Sequence, residues 1–313
     1  MDANQTPPAI ITVVGPTATG KTALAVELCH QLGGEIVGAD SVQVYRHCDI
    51  GSGKPTADEL QGIPHHLLDV LDPDQPIDAA TFATLADKAI AQTVARGKHP
   101  IVVGGTGLWL RALLQGLVDL PPVDPELRQT LEHEWQQVGA AAMHHKLSTV
   151  DPEAAGAIHP NDQLRVVRAL EVYQQTGKPL GALRKAHALG TPRYRIFGVC
   201  LDLPLPLYKS TVTRRVQQML HAGLVAEVQV LLDRFGPEVR ALSSVGYKQI
   251  KAHLQGAYEL PQATEEMIRA TEQYARRQRN WFRSDRTINL RTDPAQARSA
   301  ATLDQLRRHL DPC

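Results

Sequence analysis

The 313-residue sequence predicts an α/β fold, a parallel sheet flanked by helices with an all-helical subdomain inserted into it. Three observations carry this. Strand-like and helix-like segments alternate from residue 9 to residue 115, the pattern of a parallel sheet with crossover helices. Residues 120 to 190 carry helical signals only, and a strand-like run, Tyr194 to Leu201, then resumes the core ahead of long helices that reach about residue 282. The expected organisation is 1–119 as the first part of the core, 120–190 as the helical insertion and 191–313 as the second part of the core with its C-terminal helices.

The first strand, Ile10 to Val14, leads into Gly15-Pro16-Thr17-Ala18-Thr19-Gly20-Lys21-Thr22, and Ala23 to Leu28 continues as a helix. This is the P-loop pattern between the strand and the helix that it requires, so the sheet is expected to be P-loop NTPase-like. Glycines let backbone N–H groups turn inward around an anion, the helix N-terminus adds positive potential, Lys21 supplies a point charge, and the Thr22 hydroxyl suits Mg2+. The site is built for a phosphate or diphosphate. A second strand, Glu35 to Ala39, places Asp40 at its carboxyl end, where doubly wound sheets bind ligands. Followed by Ser41, Asp40 equally fits a helix N-cap or an Asx-turn. A helix from about Ala79 to Ala95 is stopped by Gly97, and the next strand, from Pro100, ends in Gly104-Gly105-Thr106-Gly107. No acid closes it, unlike the strand that bears the Mg2+-binding carboxylate of P-loop ATPases and GTPases.

The insertion begins at Leu120-Pro121-Pro122-Val123-Asp124-Pro125, where Asp124 caps and Pro125 opens a helix through Leu127, Leu131 and Trp135. The same Asp-Pro device recurs at Asp151-Pro152, and Asn161 is placed to cap a helix that runs through Leu164 and Val172 to Gly177. The N-terminus and the tail beyond about residue 290 read as loosely held.

Composition bounds the function classes. With 33 basic and 33 acidic residues the net charge is zero, and 43% hydrophobic residues suffice for a full core. Charge is nevertheless uneven: Arg276, Arg277, Arg279, Arg283 and Arg286 face Asp285 alone, which leaves room for a local basic surface. Cys29, Cys48, Cys200 and Cys313 lie far apart and read as reduced thiols. Met1-Asp2-Ala3-Asn4 lacks the basic start of a signal peptide and no apolar run approaches a membrane span, so a cytoplasmic protein without membrane contact is expected. The adjacent pairs His65-His66 and His144-His145 diverge on any regular element and do not read as a zinc site.

Over residues 10 to 285 the motifs together resemble the tRNA dimethylallyltransferases, or tRNA isopentenyltransferases. The resemblance rests on the P-loop, Asp40-Ser41-Val42-Gln43-Val44-Tyr45-Arg46 with Asp49-Ile50-Gly51 and Lys54-Pro55, and Pro64-His65-His66-Leu67-Leu68-Asp69. It continues through Val103-Gly104-Gly105-Thr106-Gly107-Leu108-Trp109-Leu110-Arg111, His159-Pro160-Asn161-Asp162, Arg168-Ala169-Leu170-Glu171-Val172, Gly246-Tyr247-Lys248 and Arg276-Arg277-Gln278-Arg279-Asn280-Trp281-Phe282-Arg283. Several segments in one order make the match specific.

The resemblance implies transfer of a dimethylallyl group from dimethylallyl diphosphate to N6 of the adenosine 3′ of the anticodon, position 37, in tRNA, with Mg2+ and release of diphosphate. The P-loop belongs to a nucleotide-binding, ATP-binding class of motif, but on this resemblance Gly15, Pro16, Thr17, Ala18, Thr19, Gly20, Lys21 and Thr22 hold the diphosphate, with Mg2+ on Thr22. Lys21, Asp40 and Thr106 form the expected catalytic set: Lys21 stabilises the leaving charge, Asp40 takes the N6 proton, and Thr106 orients the adenine or that base. Arg215 is the expected further diphosphate contact, because Leu207 to Val216 lacks an earlier arginine of the family pattern. The anticodon stem-loop is expected against Asp40, Ser41, Val42, Gln43 and Thr106 at the site, and against Arg128, Arg165, Arg168, Arg276, Arg277, Arg279 and Arg283 through phosphates, with Trp281 and Phe282 stacking on bases or packing. Leu164 stands where the family often carries a polar residue, and Trp109 replaces a common tyrosine. A monomer is expected. An adenylate-using isopentenyltransferase, a small-molecule P-loop kinase and a non-catalytic RNA- or nucleotide-binding module are the rival readings. The insertion and Arg276 to Arg279 favour a polymeric acceptor over a free nucleotide.

Overall fold

The computed structural model describes residues 7–187 and 193–311; Met1 to Asn4, Cys313 and the expected boundary at 190/191 lie outside the described residues. In chain order the core begins with β1 (Ala9–Val14), α1 (Lys21–Leu32), β2 (Gly34–Ala39), α2 (Ala57–Leu60), β3 (His65–His66), α3 (Ala79–Ala95), β4 (His99–Gly104) and α4 (Gly107–Gln115). The helices α5 (Pro125–Val150), α6 (Pro152–Ala157), α7 (Gln163–Thr176) and α8 (Leu180–His187) follow. The core then resumes with β5 (Arg195–Leu201), α9 (Leu205–His221), α10 (Leu224–Phe235), α11 (Tyr247–Leu254), α12 (Leu260–Arg283), β6 (Ile288–Thr292) and α13 (Ala300–Leu310).

All strand pairings are parallel, in the order β3-β2-β4-β1-β5-β6. This order sets the carboxyl ends of β1, β2 and β4 side by side, and a crevice at such a reversal of strand order is where ligands bind in open α/β sheets. Strand residues alternate between two cores. Ile11, Val13, Ile36 and Val103 pack under α1 and α13, while Ile10, Val14, Val37 and Val102 pack under α3, α4 and the C-terminal helices. The chain beyond residue 290 corrects the expectation of a loose tail. β6 adds an edge strand to β5, and Leu306 and Leu310 of α13 are buried in the core, where their apolar area offsets the cost of ordering the segment.

The described residues fall into two compact units, one drawn from Met1–Leu114 and Arg193–Cys313, the other from Gln115–Pro192. The second unit has its own core, centred on Leu131, Leu147, Val166 and Leu170. Its caps are those of Asp-Pro chemistry: Asp124 accepts from the N–H groups of Glu126 and Leu127, and Asp151 from that of Ala154. Asp162, one residue after the expected Asn161, caps α7 by accepting from Arg165 N at 3.2 Å. α5 is broken at Gly139, whose φ of 80° lies in the left-handed region.

One buried carboxylate on β2 ties that strand to the edge strand β3 and to the end of α3. Glu35 accepts from Arg96 Nε at 3.1 Å and Thr93 Oγ1 at 3.2 Å and lies 2.7 Å from His66 Nε2. The Arg96 guanidinium, with help from His66 and Thr93, holds the Glu35 carboxyl down at about 2 against the opposing effect of burial. A folded-state value below the unfolded one stabilises the protein above the ordinary carboxylate range, and that stabilisation, on the order of 2–3 kcal/mol, is lost as pH falls toward about 2. Glu35→Gln is expected to lower the urea midpoint at neutral pH and to flatten its fall on acidification. Parallel midpoint-versus-pH curves for the two proteins would exclude this role for Glu35.

Candidate active site

The P-loop leaves β1 and reaches α1 through Gly20, whose φ of 80° is left-handed, and α1 then starts with no side-chain cap and no acid in its first turn. The orphan N–H groups of that turn therefore remain available to an anion. Thr19 Oγ1 and Lys21 Nζ donate to Pro16 O at 2.9 and 2.7 Å, which folds the loop around the lysine. Burial pulls the Lys21 ammonium down to about 8, with Asp40 opposing the shift. A brace comes from α12. Gln278 Oε1 accepts from Thr17 N at 2.9 Å, and its Nε2 donates to Gly105 O at 3.0 Å, tying the P-loop to the end of β4.

Beside the P-loop, Asp40 Oδ1 accepts from the N–H groups of Val42 and Gln43 at 2.9 and 3.3 Å. The Asx-turn is real, yet it occupies one oxygen only, and Oδ2 has no hydrogen-bond partner among the described residues. Thr106 Oγ1 accepts from Ser41 N at 3.1 Å and joins the ends of β2 and β4. Gln43 Nε2 donates to Ser52 O and Gly53 O at 3.3 and 3.1 Å, so its amide nitrogen belongs to the neighbouring loop, and no backbone N–H among the described residues donates to its Oε1.

That loop, residues 49–53, is held by residues that no local signal reveals. Glu227 accepts from the N–H groups of Asp49, Ile50 and Gly51 and from Tyr247 Oη, and Tyr247 Oη accepts from Ser52 N. Gly53 (φ 61°) lies where a Cβ would meet Arg215 Nη2 at 1.8 Å, so the missing side chain is what admits the guanidinium. Burial lowers the Arg215 pKa, with Asp40 again opposing.

Two cavities meet here. The larger, about 370 Å3, is walled by the P-loop residues Thr17, Ala18, Gly20, Lys21 and Thr22 with Gln43, His65 and Gly104. The smaller, about 270 Å3, is walled by Ser41, Val42, Val212, Val216, Met267, Thr271, Tyr274 and Arg277. Thr17, Asp40, Ser52 and Arg215 belong to both. The two chambers thus meet at Asp40 and Arg215, with Lys21 and Glu59 also on the wall of the first and Arg277 on that of the second. In the second chamber burial pushes the Tyr274 phenol up to about 12, with Asp40 adding to the shift, so it stays protonated. The hard oxygen donors on the first chamber's wall, the Thr22 hydroxyl and the Asp40 carboxylate, are of the kind that Mg2+ takes together with phosphate oxygens and water.

Of the expected site residues, Lys21, Thr22, Asp40, Gln43 and Arg215 line the first chamber, and Ser41, Val42 and Arg277 line the second. The remaining arginines divide by partner. Arg128 and Arg168 pair with Glu171, a fully buried carboxylate, at 2.6 and 2.9 Å, and Arg168 also donates to Pro121 O. Arg279 pairs with Asp202 at 2.7 Å and donates to Leu203 O. All three are held by carboxylate and backbone partners within the fold. Arg165 is exposed on α7 beside Asp162, and Arg276, Arg277 and Arg283 are exposed on α12 without a carboxylate partner among the described residues. Trp281 is half-buried and Phe282 is buried in the core.

Residues 43–285 match the IPP transferase family. The chain is 47% identical over 282 residues to tRNA dimethylallyltransferase 1 of Pelobacter propionicus, covering 90% of this chain and 91% of that one. It is 48% identical over 279 residues to tRNA dimethylallyltransferase of Anaeromyxobacter dehalogenans, covering 89% and 93%. Among solved structures, the full-length tRNA isopentenylpyrophosphate transferase of Bacillus halodurans superposes with a TM-score of 0.69 at 35% identity over 96% of each chain. A eukaryotic dimethylallyltransferase acting on tRNA superposes at 0.78 with 28% identity over 96% of this chain and 78% of that one. With its P-loop, strand-end aspartate and paired chambers in place, the chain belongs to the tRNA dimethylallyltransferase family.

Proposed function

We propose that the protein transfers a dimethylallyl group from dimethylallyl diphosphate to N6 of adenosine 37, just 3′ of the anticodon of a tRNA, and releases diphosphate. The observation that carries this reading is the meeting of the two chambers at Asp40. The diphosphate lies in the first, against Lys21, Arg215 and the N–H groups that open α1, and the extruded adenine occupies the second. Its N6 lone pair attacks C1 of the allyl group, the C1–O bond breaks with its electrons going to the diphosphate, and the N6 proton passes to Asp40 Oδ2. Lys21 and Arg215, already desolvated, stabilise the growing charge on the leaving group more strongly than solvated cations would. Thr106 keeps Ser41 and the Asp40 turn in register. Thr22 would hold a Mg2+ ion, which when bound would supply further neutralisation of the leaving group. A P-loop kinase is disfavoured because β4 closes on Gly104 and Gly105 with no acid. The acceptor rests on the family's tRNA-directed names and on the unpaired arginines of α12. Placement in the cytoplasm and action as a monomer belong to the same proposal.

Three measurements test it. Lys21→Ala should raise the donor KM and lower turnover with the fold retained, and in the wild-type protein kcat/KM for the donor should fall as pH rises through about 8, where Lys21 loses its proton. An unchanged kcat/KM in folded Lys21→Ala would remove the P-loop from donor binding.

Asp40→Asn retains an oxygen for the Val42 and Gln43 N–H groups but has no carboxylate for the N6 proton. Single-turnover rates at saturating tRNA and donor are therefore expected to drop about 10²- to 10⁴-fold with little change in melting temperature. A rate within a few-fold of wild type would leave Asp40 with the turn alone.

Replacing Arg276 and Arg283 together should weaken tRNA binding and reduce the slope of log K against log salt by about one unit per lost phosphate contact, leaving donor affinity unchanged. Equal slopes would mark both as solvated surface charges.

A further inference from the structure

The loop of residues 49–53 is gripped from outside the site by two side chains that line neither chamber, Glu227 of α10 and Tyr247 of α11. Glu227 Oε2 accepts from Asp49 N and Ile50 N at 3.1 and 2.7 Å, and Oε1 accepts from Gly51 N at 3.0 Å and Tyr247 Oη at 2.7 Å. Tyr247 Oη in turn accepts from Ser52 N at 3.1 Å, so four consecutive N–H groups end on one carboxylate and its phenol. The ring also packs on this loop: a Cβ on Gly51 would meet Tyr247 Cζ at 2.5 Å. On its other side the loop offers Ser52 O and Gly53 O to Gln43 and lays Gly53 against the Arg215 guanidinium.

Arg215, on α9, lines both chambers, and its guanidinium has no hydrogen-bond or ion-pair partner among the described residues. Packing alone therefore aims it. Its Nη2 stands 1.8 Å from where a Gly53 Cβ would be, so the backbone of Gly53 is the wall that sets its place. A cation with no bonds of its own follows its wall, and a shift of Gly53 passes directly to the guanidinium. Hydrogen bonds to a carboxylate are stronger than neutral ones, so Glu227 and Tyr247 hold that wall firmly. We infer that Glu227 and Tyr247 are a positioning pair, which fixes the 49–53 loop so that Arg215 is aimed at the diphosphate. This rests on the donor site proposed above and adds to it two residues that do not touch the donor.

The test measures binding of inorganic diphosphate to the full chain by calorimetry, with melting curves alongside, for wild type, Tyr247→Phe, Glu227→Gln, Arg215→Ala and each pairing with Arg215→Ala. Tyr247→Phe keeps the ring on Gly51 and removes only the hydroxyl, leaving Ser52 N without its acceptor. Diphosphate binding is expected to weaken about 3- to 20-fold in Tyr247→Phe and about 10- to 100-fold in Glu227→Gln, whose amide sets a donor against loop donors. In the Arg215→Ala background each change should cost less than about two-fold, because the group through which the pair acts is gone. A role in folding alone would lower the melting temperature and give equal losses in both backgrounds. Equal losses, or wild-type affinity in the folded single variants, would overturn the positioning role, and Tyr247→Phe carries the comparison if Glu227→Gln does not fold. Failure of the wild-type protein to bind diphosphate would instead remove the donor site itself, and the role of the pair with it.

Discussion

The close approach of three strand ends is the constraint on which the site depends. A Cβ on Gly104 would stand 2.1 Å from Ala39 O, and one on Gly105 would stand 2.2 Å from Gln278 Nε2. Because neither atom exists, the end of β4 lies directly against the end of β2 and accepts the amide of α12. Gln278 then spans from Gly105 O to Thr17 N, and Thr106 spans from β4 to Ser41. Both are buried or half-buried hydrogen bonds between segments distant in sequence, and an unmade partner in such a setting costs about 1–3 kcal/mol. The P-loop, the aspartate and the threonine are thereby held in one place, as efficient chemistry between two bound reactants requires.

Charge follows from this packing. Lys21 and Arg215 are both desolvated, and Asp40 is the carboxylate that opposes the shift in each. Lys21 and Arg215 line the chamber with Asp40 and Glu59, and the two desolvated cations are the groups that an anion of diphosphate type would complement. Asp40 meanwhile divides its two oxygens between tasks. One closes the Asx-turn and fixes the carboxylate's orientation, and the other has no hydrogen-bond partner among the described residues. The capping role and the proposed catalytic one are thus compatible in a single side chain.

Basic residues in this protein do two kinds of work. Arg128 and Arg168 neutralise Glu171, which has no exposure and without them would be an uncompensated buried charge. Arg96 does the same for Glu35, and Arg279 for the more exposed Asp202. Among the arginines without such a carboxylate partner in the described residues, Arg111 lies on α4 and Arg276, Arg277 and Arg283 lie on α12, in the core unit. A chain with zero net charge can therefore still present a local cationic surface, since its acids and bases are sorted by packing and not spread evenly.

Contiguous signals were legible from the sequence alone. The P-loop, the strand-end position of Asp40, the glycine close of β4 and the Asp-Pro caps at Asp124 and Asp151 all depend on residues a few positions apart, where hydrogen-bonding chemistry and backbone preference act locally. The two-residue strand His65–His66 and the edge strand Ile288–Thr292 were not legible, because each is defined by its neighbour in the sheet and not by its own periodicity. The supports of the site were equally hidden. Glu227 holds backbone groups some 176–178 positions away and Gln278 one 261 positions away, and Arg215 needs the gap at Gly53. Which arginines remain free was likewise a tertiary decision: a guanidinium reads the same in sequence whether a buried carboxylate lies against it or solvent does, and only the fold supplies that partner.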